Sequence, residues 1–244
     1  MTISIKTFRH SEWLTNTYLI CSEASKSAIL VDAGAPIRHF KKELAKDGYS
    51  LRAILLTHAH FDHVDTLPEW TSTYDVDVYG HALASAQVDA LTCPLQGGET
   101  LSFGGISVQV IPTPGHSSDH LSFLVADTLL FAGDILFKGS VGGTEYGNFE
   151  ALKFSLQEVL MKLPHELTVY PGHAEPTTLN AEWTSNPFIR AWRGLDKTLD
   201  IACIMEGKPA TLRVKATDYD GEGKVWISVA GKNMIVPEME IKIG

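Results

Sequence analysis

One seven-residue stretch constrains this chain more than any other: Thr57-His58-Ala59-His60-Phe61-Asp62-His63. It is reached through Leu51–Thr57 (LRAILLT), a short apolar run of strand length. In extended backbone, residues two apart point the same way, so His58 and His60 converge on one ion. A helix beginning near Asp62 turns Asp62 and His63 toward a second ion. Imidazole and carboxylate together suit zinc, iron or manganese. A solvated polar loop is the competing reading, and such dense spacing directly after an apolar strand argues against it.

The same arrangement recurs three times. His116 lies in Pro114-Gly-His-Ser after the apolar stretch 107–111, Asp134 follows Leu129-Leu-Phe-Ala-Gly133, and His173 lies in Tyr170-Pro-Gly-His after the run 167–170. Alone, each is an ordinary turn residue. Ligand types repeated at the ends of apolar strands build one site on one edge of a layered α/β fold. The chain has 10 histidines in 244 residues. Five belong to this constellation; His10, His39, His81, His120 and His165 show no comparable pattern.

The organisation fits. Strand patterns cover 2–8, 15–21 and 27–31, the last running into Asp32-Ala-Gly34. A helix over 36–46 stops at Gly48. A helix from Asp62, a strand over 76–79, a helix over 82–90, clustered strands over 99–132 with a Gly104-Gly105 hairpin turn, a helix over 149–163 and a strand over 167–170 follow. Past Pro209 the pattern becomes short strands (212–217, 224–230, 234–243) joined by the Asp218–Gly221 and Gly231–Asn233 turns. The expected division is a catalytic domain over 1–209 and a small β appendage over 210–244. That appendage is too short to fold alone, so it docks on the main domain or pairs with a second copy to form a homo-oligomer.

Composition narrows the partners. With 20 Lys+Arg against 29 Asp+Glu the net charge is −9, which counts against nucleic acid. No apolar run approaches the ~20 residues of a membrane span, and the start shows no signal-peptide pattern. Three scattered cysteines, Cys21, Cys93 and Cys203, make no disulfide framework. A cytoplasmic protein is expected, with no membrane partner.

His58-x-His60-x-Asp62-His63 with His116, Asp134 and His173 resembles the metallo-β-lactamase superfamily, and within it the glyoxalase II-like (hydroxyacylglutathione hydrolase-like) metallohydrolases. The likeness spans about residues 12–190 and includes Asp32-Ala-Gly34, Phe131–Phe137 and Gly139-Ser-Val-Gly142. It implies an α/β fold, the four-layer αββα sandwich. It also implies two divalent metal ions, zinc first, with iron or manganese as alternatives. One takes His58, His60 and His116, the other Asp62, His63 and His173, and Asp134 bridges them. The implied activity is hydrolysis of a small-molecule thioester or related activated acyl compound by a metal-bridging hydroxide, with Asp62 placed to orient the hydroxide or take its proton.

Around the ligands, Asp32 reads as the acceptor for a ligand histidine's free N–H or as an Asx turn before Gly34. Trp13 reads as a lid aromatic or a half-buried hairpin residue. Tyr146 reads as an oxyanion donor, catalytic and substrate-binding. The Gly-rich loop 138–147 contains no P-loop pattern, and Gly143 stands where glyoxalase II-like relatives often carry arginine. Instead of their helical glutathione-binding domain this chain has the β appendage. A mononuclear iron persulfide dioxygenase is the alternative, followed by a lactonase or β-lactamase of the same fold.

Overall fold

The computed structural model describes residues 2–243, which divide into two compact units. One comprises the chain up to Pro112 together with Asp119–Gly133. The other comprises Thr113–Ser118 and the chain from Asp134 onward.

The first unit is built on a six-stranded sheet. In spatial order its strands are Ile3–Arg9, Asn16–Ser22, Ser27–Val31, Ser50–Leu55, Asp77–His81 and Cys93–Leu95. The first three are antiparallel and the rest parallel. Parallel neighbours need crossovers, and these are the helix Arg38–Asp47, the helices Phe61–Val64 and Leu67–Thr73, and the 3-10 turn Ala82–Ala86. Gly48 ends the first helix in left-handed backbone (φ 67°), where its N–H reaches Leu44 O.

Asn16–Ser22 and Ser27–Val31 are buried along their whole length, as strands covered on both faces must be. On one face Leu19, Leu30 and Ile54 pack with Phe40, Leu44 and Trp70 of the helices. On the other, Tyr18 meets Phe131 edge-on at 5.2 Å and Tyr79 meets Phe103 the same way. Those partners belong to a second, antiparallel set: Thr100–Phe103, Ile106–Pro112, Leu121–Val125 and Leu129–Gly133. The first unit is thus helix, sheet, sheet.

In the second unit, Leu136–Phe137 pairs with Ser140–Val141, and Thr168–Pro171 with Thr177–Thr178. The helical run from Phe149 starts under the Asn148 side chain, which accepts the Ala151 N–H at 2.9 Å. It is less regular than the sequence pattern predicts. After Phe149–Phe154 it widens to a π-turn over Ser155–Val159, then tightens to 3-10 over Leu160–Lys162. The turn before His116 presses on this run. A Cβ on Gly115 would lie 2.2 Å from Leu152 Cα, and Ser155 Oγ donates to Pro114 O at 2.7 Å.

The C-terminal residues form a five-stranded antiparallel sheet. Its spatial order is Lys232–Pro237, Gly223–Val229, Lys208–Thr217, Ile201–Met205, Ile241–Ile243, around Leu212, Val225, Ile227 and Val236. The sheet starts at Ile201, ahead of the composition change at residue 210. The stretch 234–243, read as one strand, is two. Pro237 and the 3-10 turn Glu238–Glu240 break it, and Ile241–Ile243 crosses to the far edge. The sheet is docked within its own unit. Thr144 N–H donates to Ile235 O and Ile235 N–H to Thr144 Oγ1, both at 2.8 Å. Trp226 lies 5.3 Å from Phe149 between ring centroids.

Candidate metal centre

The strand Ser50–Leu55 delivers Thr57 and His58 to its C-terminal end, where Asp32 organises them. Asp32 occupies left-handed backbone (φ 59°), a conformation that Asp tolerates better than most residues. Its Oδ1 accepts the Thr57 N–H at 2.8 Å, its Oδ2 the Thr57 hydroxyl at 2.9 Å, and the same Oδ2 lies 2.8 Å from His63 Nδ1. Since the hydroxyl donates to Asp32, its oxygen is left to accept from His58 Nδ1, 3.0 Å away. One buried carboxylate therefore sets the tautomer of two histidines and leaves both Nε2 lone pairs for a cation.

The rest of the motif follows. His58 Nε2 lies 3.0 Å from His60 Nδ1, and His63 Nε2 lies 3.5 Å from Asp62 Oδ2. The Thr15 hydroxyl donates to that same Asp62 oxygen at 2.6 Å. Gly34 is required by closeness: a Cβ there would sit 2.0 Å from Asp62 O. Asp119 Oδ2 accepts the Ala59 N–H at 2.8 Å, pinning the peptide between the two histidines. His120, buried, rests its ring 5.2 Å from that of His58. The sequence pattern marks neither Asp119 nor His120; its available signal is an Asp-His pair directly after His116-Ser-Ser.

The second unit brings together the other three. Asp134 Oδ2 lies 3.3 Å from His173 Nε2 and 3.7 Å from His116 Nε2. His116 Nδ1–H donates to Gly143 O at 2.9 Å, so the ring's lone pair sits on Nε2. The glycine loop can pass this close because a Cβ on Gly142 would lie 2.0 Å from Asp134 O. His173 is held between rings. Tyr219 stacks on it at 4.1 Å and 18°, and Phe137 meets it edge-on at 5.7 Å. Tyr219 lies in the turn that joins Lys208–Thr217 to Gly223–Val229, and the sequence marks Asp218–Gly221 only as a turn, with no sign of that contact.

These residues fit divalent metal. Around an ion with ligands at ~2.1 Å, neighbouring donors are ~3.4 Å apart, and the separations above cluster there. The donors are imidazole nitrogens and carboxylate oxygens, with proton positions that face lone pairs inward. Cysteine, the usual ligand of closed structural sites, is missing from the set.

The substrate candidates divide. Trp13, 46% exposed, stands edge-on to Phe61 at 5.9 Å, beside the helix that carries Asp62 and His63. Its loop is shaped by His10, whose Nδ1 accepts the Glu12 and Trp13 N–H groups at 3.2 Å. Tyr146 is not gathered with the ligands. Its side chain is 94% exposed and lines a different cavity from the one that His116 and Asp134 line.

Comparison with known proteins agrees with the geometry. Residues 10–88 and 94–173 match the sequence model of the metallo-beta-lactamase superfamily. The probable polyketide biosynthesis zinc-dependent hydrolase BaeB of Bacillus velezensis is 34% identical over 70% of this chain and 77% of its own. The hydroxyacylglutathione hydrolase GloC of Haemophilus influenzae is 27% identical over 68% and 89%. Among solved structures, the BLEG-1 B3 metallo-beta-lactamase superposes with a TM-score of 0.71 at 28% identity, covering 76% of this chain and 99% of that one.

Proposed function

Since this chain belongs to the metallo-β-lactamase superfamily, whose members bind divalent metals, we propose that it is a binuclear metallohydrolase acting on a thioester or related activated acyl compound. The observation that carries this reading is the completeness of the donor set. His58, His60, Asp62, His63, His116, Asp134 and His173 all have ligating atoms at ligand spacing within their own half of the centre. In the reading, His58, His60 and His116 hold one ion, Asp62, His63 and His173 the other, and Asp134 is shared. Zinc is the first choice for a donor set without redox demands.

Two divalent ions bound there supply a nucleophile from water near neutral pH and positive charge for the carbonyl. The protein does the rest. Asp32 fixes the His58 and His63 tautomers, and Thr15 holds one Asp62 oxygen so that the carboxylate orients the attacking water and takes its proton. Trp13 with Phe61 covers the substrate. The odd, unpaired cysteines and acidic surface favour a cytoplasmic enzyme of small acyl substrates, not nucleic acid.

The test joins metal analysis of the purified protein to turnover of a lactoyl thioester, a lactone, a cephalosporin and glutathione persulfide. Two equivalents of metal with thioester turnover are expected, and Asp134→Asn loses at least one equivalent and nearly all of the turnover. One equivalent of iron with oxygen uptake on the persulfide would establish a dioxygenase instead.

A further inference from the structure

A cavity of about 240 Å³ lies wholly within the second unit. It is lined by the candidate ligands His116 and Asp134 and by Phe137, together with Asp218 and Tyr219 of a turn in the C-terminal sheet and Lys224 of the strand that follows it. The appendage therefore walls part of the space beside two metal ligands.

The charge of that wall is informative. Among the described residues Lys224 is the single lysine or arginine lining the cavity, and it is already committed. Its side chain is 7% exposed, its Nζ lies 2.6 Å from Asp218 Oδ2 and donates to Val141 O at 3.2 Å. It also covers the ring faces of Phe137 and Tyr219 at 5.2 and 5.5 Å. The Asp218 side chain is equally buried, and its Oδ1 has no hydrogen-bond partner among the described residues. A buried carboxylate oxygen left in this state is a site for a donor that the chain does not supply. Glu145, Asp220 and Glu222 line the same cavity, and burial near Asp218 and Glu240 pushes the Glu145 carboxyl above the ordinary carboxylate range. With Asp218 and Lys224 paired, three further carboxyl groups besides Asp134, those of Glu145, Asp220 and Glu222, line the cavity with no cation to offset them among the described residues. A carboxylate-bearing group entering here meets like charge in a partly desolvated space, which disfavours it more than in water. Phe137, Tyr219 and Met239 add polarisable walls suited to sulfur.

We infer that this cavity takes the leaving thiol of the substrate and selects a neutral or cationic thiol over one carrying free carboxylates. The inference rests on the thioester reading above, and it separates this chain from an enzyme built for the two carboxylates of glutathione.

Matched thioesters test it in the metal-replete protein: acetylthiocholine, cationic on the thiol, and S-acetyl-3-mercaptopropionate, anionic there. The expected kcat/KM is at least tenfold higher for the cation. Asp220→Asn with Glu222→Gln, both in an exposed turn, lowers that ratio at least threefold. A ratio at or below one, or one unchanged by the double variant, overturns the inference while leaving the thioester reading in place. Two unreactive thioethers give a readout without turnover: 2-(methylthio)ethyltrimethylammonium and 3-(methylthio)propionate, bound and followed by NMR. Tighter binding of the cation with neither thioester cleaved keeps the charge selection and removes the thioester reading. Equal, reversed or unmeasurable binding without cleavage removes both.

Discussion

Tyr219 lies flat against His173, ring centroids 4.1 Å apart and planes inclined by 18°. A residue in a turn of the C-terminal sheet thereby holds the orientation of a candidate ligand imidazole 46 positions earlier (219 − 173). Stacking of this kind is worth ~0.5–1.5 kcal/mol. Tyr219→Ala is expected to weaken metal retention by roughly two- to tenfold, measured by metal content after dialysis against a graded chelator series. Tyr219→Phe keeps the ring and so keeps the metal. Equal loss in both variants would assign the effect to the hydroxyl and refute the stacking role.

Asp32 makes a sharper prediction, because its backbone and its carboxylate do separate work. Asp32→Asn preserves a residue that tolerates φ 59° but no longer offers two acceptor oxygens to Thr57 and His63. Its metal affinity should fall ~10–100-fold with little change in Tm. Asp32→Ala loses the carboxylate and adds ~1 kcal/mol or more of left-handed strain, so its Tm should fall as well. Metal titration and thermal melts of the metal-free variants distinguish the two; identical melts would deny the strain.

The candidate ligands stand out in sequence because each group follows an apolar strand, and the structure gathers His58, His60, Asp62 and His63 in one unit and His116, Asp134 and His173 in the other. The gaps have equally physical causes. Tyr146 stands near Asp134 in sequence, but the loop that lets Gly142 pass under Asp134 O turns Tyr146 out to solvent. Tyr219 occupies the place beside a ligand, reached through a turn between two strands of the tail, and local sequence carries no record of that packing. The background histidines proved to have structural work: His10 caps the Trp13 loop, His81 accepts the Leu83 N–H to cap a 3-10 turn, and His39 stacks on Phe8. The tail sheet was legible as strands but not in its register. The break at Pro237 sends the last strand to the opposite edge, which only tertiary pairing decides.

Thiol reactivity gives a pH test. Burial pushes the Cys21 thiol up to about 11 and raises Cys203 as well. At pH 8 about one Cys21 in a thousand is thiolate, and the thiolate is the nucleophile. Folded protein should therefore react with a disulfide reagent at one thiol, Cys93, which is half-buried, and at all three after unfolding. Raising the pH toward 10 should recruit Cys21 only as its thiolate fraction and local opening permit. Rapid labelling of Cys21 at pH 8 would contradict its burial in the first sheet.

Trp13 and Phe61 supply the last prediction. They meet edge-on at 5.9 Å, with side chains 46% and 61% exposed. Phe61 opens the helix carrying Asp62 and His63, and Trp13 lies against it, so the pair is placed to contact a substrate at the candidate centre. Trp13→Ala should lower kcat/KM for an acyl substrate by roughly tenfold, the worth of ~1.4 kcal/mol of contact made with bound substrate. Metal content should stay at wild-type level, and stability should shift by less than ~0.5 kcal/mol, as for an exposed position. Because the two rings touch, their effects should not add. Trp13→Ala with Phe61→Ala should cost less than the product of the single losses in kcat/KM. Loss of metal in Trp13→Ala would make the residue a support of the ligand helix, and strictly multiplicative effects would show that the two rings act on substrate separately.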